Sequence, residues 1–283
     1  MIFSITSCYQ QIEAGLKKHL DGKSGDIPVL EEAMKAAVLQ GGRRFRPLLA
    51  LLVASQLPHP ESALPAALST EFFHAASLVA DDLPMMDDAK TRRDHPSLHA
   101  VYGQQNALLV SYALISEGFQ MLGDSFSLYP EEKGKGKRLE QAVYLASLST
   151  GLKGATGGQY FDLNIAPSTV EGVLDVFKRK TAALFHMAFG MGWIFGGGDL
   201  AQLPIVEEAA YHFGLSFQLA DDLEDDESDR IQGKCLNLCH HIGREQVKLL
   251  FQETTEKFKE AIEKLHLDAS LFDQISLGLM TAC

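Results

Sequence analysis

Apolar side chains recur along this chain at the three- and four-residue intervals of helix faces. Ile12, Leu16 and Leu20 mark one helix over residues 7–20. Pro28 sits at a fitting first position for another over 28–40, and Gly41-Gly42 stops it. Arg46-Pro47 then opens Leu48–Gln56. Periodic runs follow at 62–80, 104–122, 139–150, 170–196, 205–225 and 243–264. Glu131–Arg138 reads as a solvated loop broken by glycine. No segment alternates with a period of two, and no glycine-rich nucleotide loop is present. The pattern predicts an all-α fold: a single large helical bundle, one domain over 1–283, with no linker or repeat dividing it. Thr181–Gly198 is nearly free of charge, but His186 lies within it and Lys180 and Asp199 bound it. It reads as a buried central helix, so no transmembrane segment is expected.

Composition narrows the partners. At 283 residues and 46% hydrophobic content the chain can bury a sizeable core. A net charge of −12 argues against nucleic acid, which needs a basic face. It leaves room for a small phosphorylated ligand, because metal ions and a few arginines invert charge locally. Four scattered cysteines, Cys8, Cys235, Cys239 and Cys283, read as reduced thiols in a cytoplasmic protein. Cys235 and Cys239 with His240 and His241 imitate half a zinc site; without a second pair they read as ordinary residues. The N-terminus has no basic region leading into an apolar one, so no signal or transit peptide is expected.

Two acidic clusters carry the chemistry. Asp81-Asp82-Leu83-Pro84-Met85-Met86-Asp87-Asp88 follows the apolar run Ala75–Ala80, and Asp221-Asp222-Leu223-Glu224-Asp225-Asp226 follows Phe213–Ala220. Like charges at helical neighbour spacing repel, and carboxylates beside a core need a cation. Asp221 and Asp225 share a helix face. Asp81 and Asp87 do not, being about 240° apart on an ideal helix. Pro84 predicts a break across Leu83–Met86 that brings Asp87, or Asp88, round to Asp81. Oxygen ligands in such numbers suit Mg²⁺, which keeps waters and is completed by substrate phosphates. Two such clusters facing one cavity would clamp a diphosphate. Arg43, Arg44 and Arg46, then Arg92 and Arg93, supply forks for phosphate oxygens. His74 lies two turns before Asp81 on nearly the same face.

Glu71–Asp88 with Arg92-Arg93 and His99 resembles the first aspartate-rich region of trans-isoprenyl diphosphate synthases, and Phe217–Asp225 resembles the second. Gly41–Pro47 is similar to that family's GGKR-x-RP element, Lys180–Leu184 to its KT-containing helix, and Gly158-Gln159 with Asp162 to its GQ-x-x-D turn. The resemblance implies a homodimer of isoprenoid-synthase type, each subunit a helical bundle around a deep central cavity. It implies 1′-4 condensation of isopentenyl diphosphate with an allylic diphosphate. Asp81, Asp87 and Asp221 would bind three Mg²⁺, supported by Asp82, Asp222 and Asp225. Arg92, Lys180, Lys234 and Asp222 would serve the allylic diphosphate; Arg43, Arg46, His74 and Arg93 would hold isopentenyl diphosphate. Lys180, Thr181 and Gln218 would be catalytic, with Thr181 and Gln218 facing the developing carbocation.

The sequence departs from the family in places. Arg43 replaces the usual lysine, Ser111-Tyr112 replaces a Gly-Asp pair, the loop after Asp225 carries one Gly-Lys, and Leu279–Cys283 is not basic. Ala76 and Ser77, one turn before Asp81, would set chain length; the small Ala76 favours a geranylgeranyl (C20) over a farnesyl (C15) product, unless Leu108, Tyr112 or Phe119 supplies a floor. The rival reading is a non-catalytic regulatory subunit of a heteromeric synthase, which the two intact clusters disfavour. A class I terpene cyclase is disfavoured by the second cluster.

Overall fold

A computed structural model describes residues 4–23, 27–165, 167, 169–232 and 236–272. It is all-α, and the described chain falls into two compact units. Unit 1 runs to Val143 and takes in Ile194–Gly198; unit 2 comprises Tyr144–Trp193 and the chain from Asp199.

In unit 1, α1 (Ile5–Asp21), α2 (Pro28–Leu39) and α3 (Phe45–Ala54) precede α4 (Leu64–Asp81). α4 is buried on nearly every side, because its small alanines and serines let neighbours close in around Phe72 and Phe73. Its main partner is α6 (Gln104–Leu128), which runs one and a half turns past the predicted end at 122. At Gly118 of α6 a Cβ would lie 2.7 Å from the Phe73 ring, so only glycine lets that ring in. The orphan N–H of Ala66 at the start of α4 donates to Ser125 Oγ of α6 at 2.7 Å. Between them lies a feature the periodicity does not predict: the antiparallel pair β1 (Thr91–Arg92) and β2 (His95–Pro96). Arg93 and Asp94, at φ 53° and 64°, form its tight turn with both central residues left-handed. The short α5 (Leu98–Tyr102) follows.

α7 (Lys135–Thr150) begins inside the predicted loop, its first lysine paired to Glu131. In unit 2, α8 (Ala155–Asn164) and α9 (Val170–Phe177) lead to a π-helical turn, Lys178–Ala182, and then α10 (Ala183–Gly196). The helix predicted over 170–196 is therefore interrupted at its centre. α11 (Leu203–Gln232) packs along α13 (Arg244–Lys264), with α12 (Cys239–Ile242) between them in sequence. Phe189, Phe213, Phe258 and Phe272 meet with ring centroids 5.4–5.9 Å apart. Each buried ring contributes about 1.5–3 kcal/mol. No helix among the described residues is long and apolar enough to cross a membrane.

Candidate active site

In unit 1 the site begins where α2 stops. Gly41 and Gly42 have φ of 80° and 114°, and a Cβ on Gly42 would lie 2.6 Å from the Arg93 guanidinium carbon. The glycine pair thus ends a helix and also seats Arg93, whose Nη1 donates to the Gly41 carbonyl at 2.8 Å. Glu71, 2% exposed on α4, ties the region together. It accepts from Arg44 Nη1 at 2.6 Å and from Arg93 Nη2 at 3.4 Å. Arg44 also donates from Nε to Glu13 at 2.6 Å and is fully buried. Of the three guanidiniums after the glycines, Arg44 is therefore spent inside the protein. The Arg43 carbonyl accepts from Tyr9 Oη at 2.7 Å, and its guanidinium lies 5.0 Å from the Phe45 ring centre.

His74 sits among these cations. Burial, then Arg46, Arg93, Arg92 and Arg44, hold its imidazole well below the usual histidine range, so it is neutral. Its Nδ1 is buried and meets no hydrogen-bond partner.

The first acidic cluster breaks where Pro84 predicts. α4 ends at Asp81, Met86 N–H donates to Leu83 O at 2.8 Å, and Asp87 N–H turns back to Asp81 O at 2.9 Å. The break brings Asp87 to Asp81. Asp88, at φ 49°, accepts instead from Lys90 at 2.7 Å. Asp82 is buried and accepts from Arg92 Nε at 2.9 Å, which holds the guanidinium pKa up. One turn earlier, Ala76 is 2% exposed and its carbonyl accepts from Ser111 Oγ at 2.9 Å; Ser77 Oγ donates to His74 O. Tyr112 is 59% exposed; Phe119 meets the Phe73 ring of α4 edge-on at 5.2 Å between centroids, and Leu108 is half-buried.

In unit 2, a cavity of about 240 Å³ collects the predicted residues of that half. Lys180, Thr181, Gln218, Asp221, Asp222 and Asp225 all line it, with Asp162 and Asn237. A hydrogen-bond chain orders them. Thr181 Oγ1 donates to Gln218 Oε1 at 3.0 Å, and Gln218 Nε2 donates to Asp222 Oδ1 at 3.2 Å. Leu238 N–H donates to Asp222 Oδ2 at 2.7 Å. Even so, burial pushes the Asp222 carboxyl up to about 7, and Asp221 and Asp229 add to the rise. Lys180 is ion-paired with Asp162 on α8. The expected GQ-x-x-D turn is in fact helical, and Gly158 is needed there: a Cβ would lie 2.4 Å from the Lys180 backbone nitrogen.

Lys234 lies outside the described residues, as do Cys235, Cys283 and the non-basic C-terminal stretch. Cys239 is a free thiol beside the Asp222 carbonyl, and His240 faces Asp226 at 3.4 Å. Sequence reasoning gave no role to Glu71 or Asn237. Asn237 Nδ2 donates to Asp222 O at 2.9 Å and Asp229 Oδ2 at 3.1 Å. A carboxylate in an otherwise apolar helix was the available signal for Glu71; Asn237 offered none.

Comparison with known proteins defines the class and then the family. Residues 27–240 match the polyprenyl synthetase family. A geranylgeranyl diphosphate synthase of Pantoea ananas is 34% identical over 228 residues, 78% of this chain and 74% of the relative. Heterodimeric geranylgeranyl pyrophosphate synthase large subunit 2 of Arabidopsis thaliana is 33% identical over 256 residues, 87% of this chain and 65% of the relative. The solved structure of a geranyltranstransferase from Thermotoga maritima is similar with a TM-score of 0.81 at 28% identity, over 98% of both chains. An all-α fold carrying both aspartate-rich regions has the character of an isoprenoid synthase. The chain belongs to the polyprenyl synthetase family, among the short-chain trans-isoprenyl diphosphate synthases, and is a prenyltransferase.

Proposed function

We propose that this enzyme condenses isopentenyl diphosphate with an allylic diphosphate, head to tail, in a Mg²⁺-dependent reaction, and that geranylgeranyl diphosphate is its main product. The observation that carries the reading is the unit 2 cavity, where a lysine, a threonine, a glutamine and five aspartates converge. The twenty-carbon product is supported by the small Ala76 and by the names of the Pantoea and Arabidopsis relatives.

The donor set fits magnesium. Asp81, Asp87 and Asp221 offer hard carboxylate oxygens. Among the described residues no three such groups close on one point. Asp81, Asp87 and Asp221 would hold three Mg²⁺, and Asp82, Asp222 and Asp225 would keep those carboxylates in place. Bound there, Mg²⁺ supplies Lewis-acid charge to a departing diphosphate.

The protein's own groups do the rest. Arg92 and Lys180, which here face Asp82 and Asp162, turn to the allylic diphosphate, with Lys234. Arg43, Arg46 and Arg93 hold isopentenyl diphosphate, Arg93 in the position Glu71 sets. Neutral His74 keeps one N–H to donate to it. Thr181 and Gln218 place oxygen dipoles beside the carbon that loses its diphosphate, where they stabilise positive charge without adding a nucleophile. Holding both substrates in contact makes the carbon–carbon bond step effectively unimolecular. The released diphosphate is the base for the last proton.

Residues 1–283 form a single polyprenyl synthetase domain in this reading, since the family match runs through both units. It is a cytoplasmic homodimer; Cys8 is a free thiol, and Leu109, Tyr112, Ile115 and Phe119 leave an apolar stripe exposed on α6. The test is incubation with isopentenyl diphosphate and, separately, five-, ten- and fifteen-carbon allylic primers, with products sized by mass spectrometry. A twenty-carbon product from each primer supports the reading. No elongation from any primer by folded protein sinks it and favours a non-catalytic subunit.

A further inference from the structure

Unit 2 has a second cavity, of about 410 Å³, larger than the one that holds Asp221. It opens between α7, α11 and the π-helical turn, and none of its lining residues belongs to the proposed reaction. Leu148, Ala182 and Ala183 give it apolar walls. Ser149, 2% exposed, lines it with a buried hydroxyl that meets no hydrogen-bond partner. An unpaired buried hydroxyl is destabilising, and a ligand acceptor would satisfy it.

The charges at its mouth are unequal. Asp175 is matched by Arg179 at 2.7 Å; burial holds the His186 imidazole below the usual histidine range, which leaves Glu207 as one carboxylate on the rim. Lys153 and Lys178 also line the opening and form no ion pair among the described residues; Lys178 lies over the Tyr211 ring at 5.8 Å. An apolar pocket with two ammonium groups against one carboxylate at its rim fits an anionic head on an apolar body. The volume is that of a small drug-sized molecule.

The π-turn joins this cavity to the other. Lys178, Arg179 and Ala182 face the larger cavity, while Lys180 and Thr181, on the same turn, line the smaller. π-turns inside helices are frequent at functional sites, and a shift of one is felt on both faces. We infer that the larger cavity is an accessory binding site for a small anionic amphiphile, with a phosphate or carboxylate head, and that its occupancy alters turnover through the turn Lys178–Ala182. The binding claim stands on the cavity alone; the effect on turnover rests on the proposed function of Lys180 and Thr181.

Calorimetry in EDTA with octyl phosphate, octanoate and 1-octanol tests the binding. One octyl phosphate or octanoate per chain is expected, the tighter of the two naming the head group. The Lys153→Ala/Lys178→Ala protein, checked for fold by circular dichroism, is expected to bind at least tenfold more weakly. Asp221→Ala is expected to bind as the wild type does. Equal binding by 1-octanol, equal binding by the double variant, loss of binding in Asp221→Ala, or no heat with either anion overturns the site. Turnover is then measured with saturating octyl phosphate. A change in wild type that is absent from the double variant supports coupling; an unchanged wild type overturns the coupling and leaves the site. Absence of all turnover, with binding intact, counts against the proposed function alone.

Discussion

Glu71 shows how much of the site rests on a residue that touches no substrate. Its carboxylate is the shared partner of buried Arg44 and of Arg93. Removing one member of a buried pair leaves the other charge uncompensated, at a cost of about 3–5 kcal/mol. Glu71→Gln should therefore lower stability by about 3 kcal/mol in a urea melt and raise KM for isopentenyl diphosphate more than for the allylic primer. Equal effects on both would detach Arg93 from the isopentenyl pocket. Asp222 presents the opposite case, a carboxyl that function holds at a cost to folding. Its pKa is raised to about 7 from 3.8, so the folded state binds this proton more tightly than the unfolded chain. The cost is absent below pH 3.8, grows as pH rises, and is complete above about 7. In metal-free buffer Asp222→Asn should melt higher than wild type at pH 8 and equally at pH 4, while losing activity. A lower melting temperature at pH 8 would show that the hydrogen bond from Leu238 outweighs desolvation. At this scale the sequence was partly legible. Clustered aspartates and arginines announce themselves by spacing, but Glu71 and Asn237 act through partners 22 and 15 residues distant; Glu71 shows only as a lone carboxylate in an apolar helix, and Asn237 leaves no local pattern.

Helices were legible because their apolar faces repeat, and Pro84 marked the break that carries Asp87 back to Asp81. Other elements were not, the short α5 among them. The π-turn at Lys178–Ala182 preserves helical periodicity on both sides, so nothing in the pattern betrays one extra residue. α8 contains Gly157 and Gly158, which weaken its helical signature, yet Gly158 is required by the close approach of Lys180. The hairpin of β1 and β2 is too short to alternate. The chain-length proposal belongs at this scale, because it concerns how α4 meets α6. Ala76 is buried against Ser111, so Ala76→Tyr should shorten the product and also cost about 1–3 kcal/mol through overpacking. Ser77 is only half-buried, so Ser77→Phe provides the same wall with less strain. Twenty-carbon product from both variants, sized by mass spectrometry, would place the floor elsewhere.

For the molecule as a whole, the all-α class was evident from the sequence, and the aspartate-rich regions identified the family. The division of the chain into two compact units was not, since no linker composition marks it. The apolar stripe on α6 gives the homodimer its test. Tyr112 is 59% exposed, so Tyr112→Glu leaves the fold of the chain intact. Light scattering should show a wild-type dimer and a monomeric variant; a wild-type monomer would remove the assembly from the account. The central claim is metal-dependent prenyl transfer, and it is tested most directly with labelled isopentenyl diphosphate and farnesyl diphosphate, with Mg²⁺ or with EDTA, in wild type and in Asp221→Ala. The account predicts a labelled twenty-carbon diphosphate with Mg²⁺, none in EDTA, and a loss of at least about a hundredfold in the variant. Label incorporated equally in EDTA, or no label incorporated by folded wild-type protein with Mg²⁺, would contradict it.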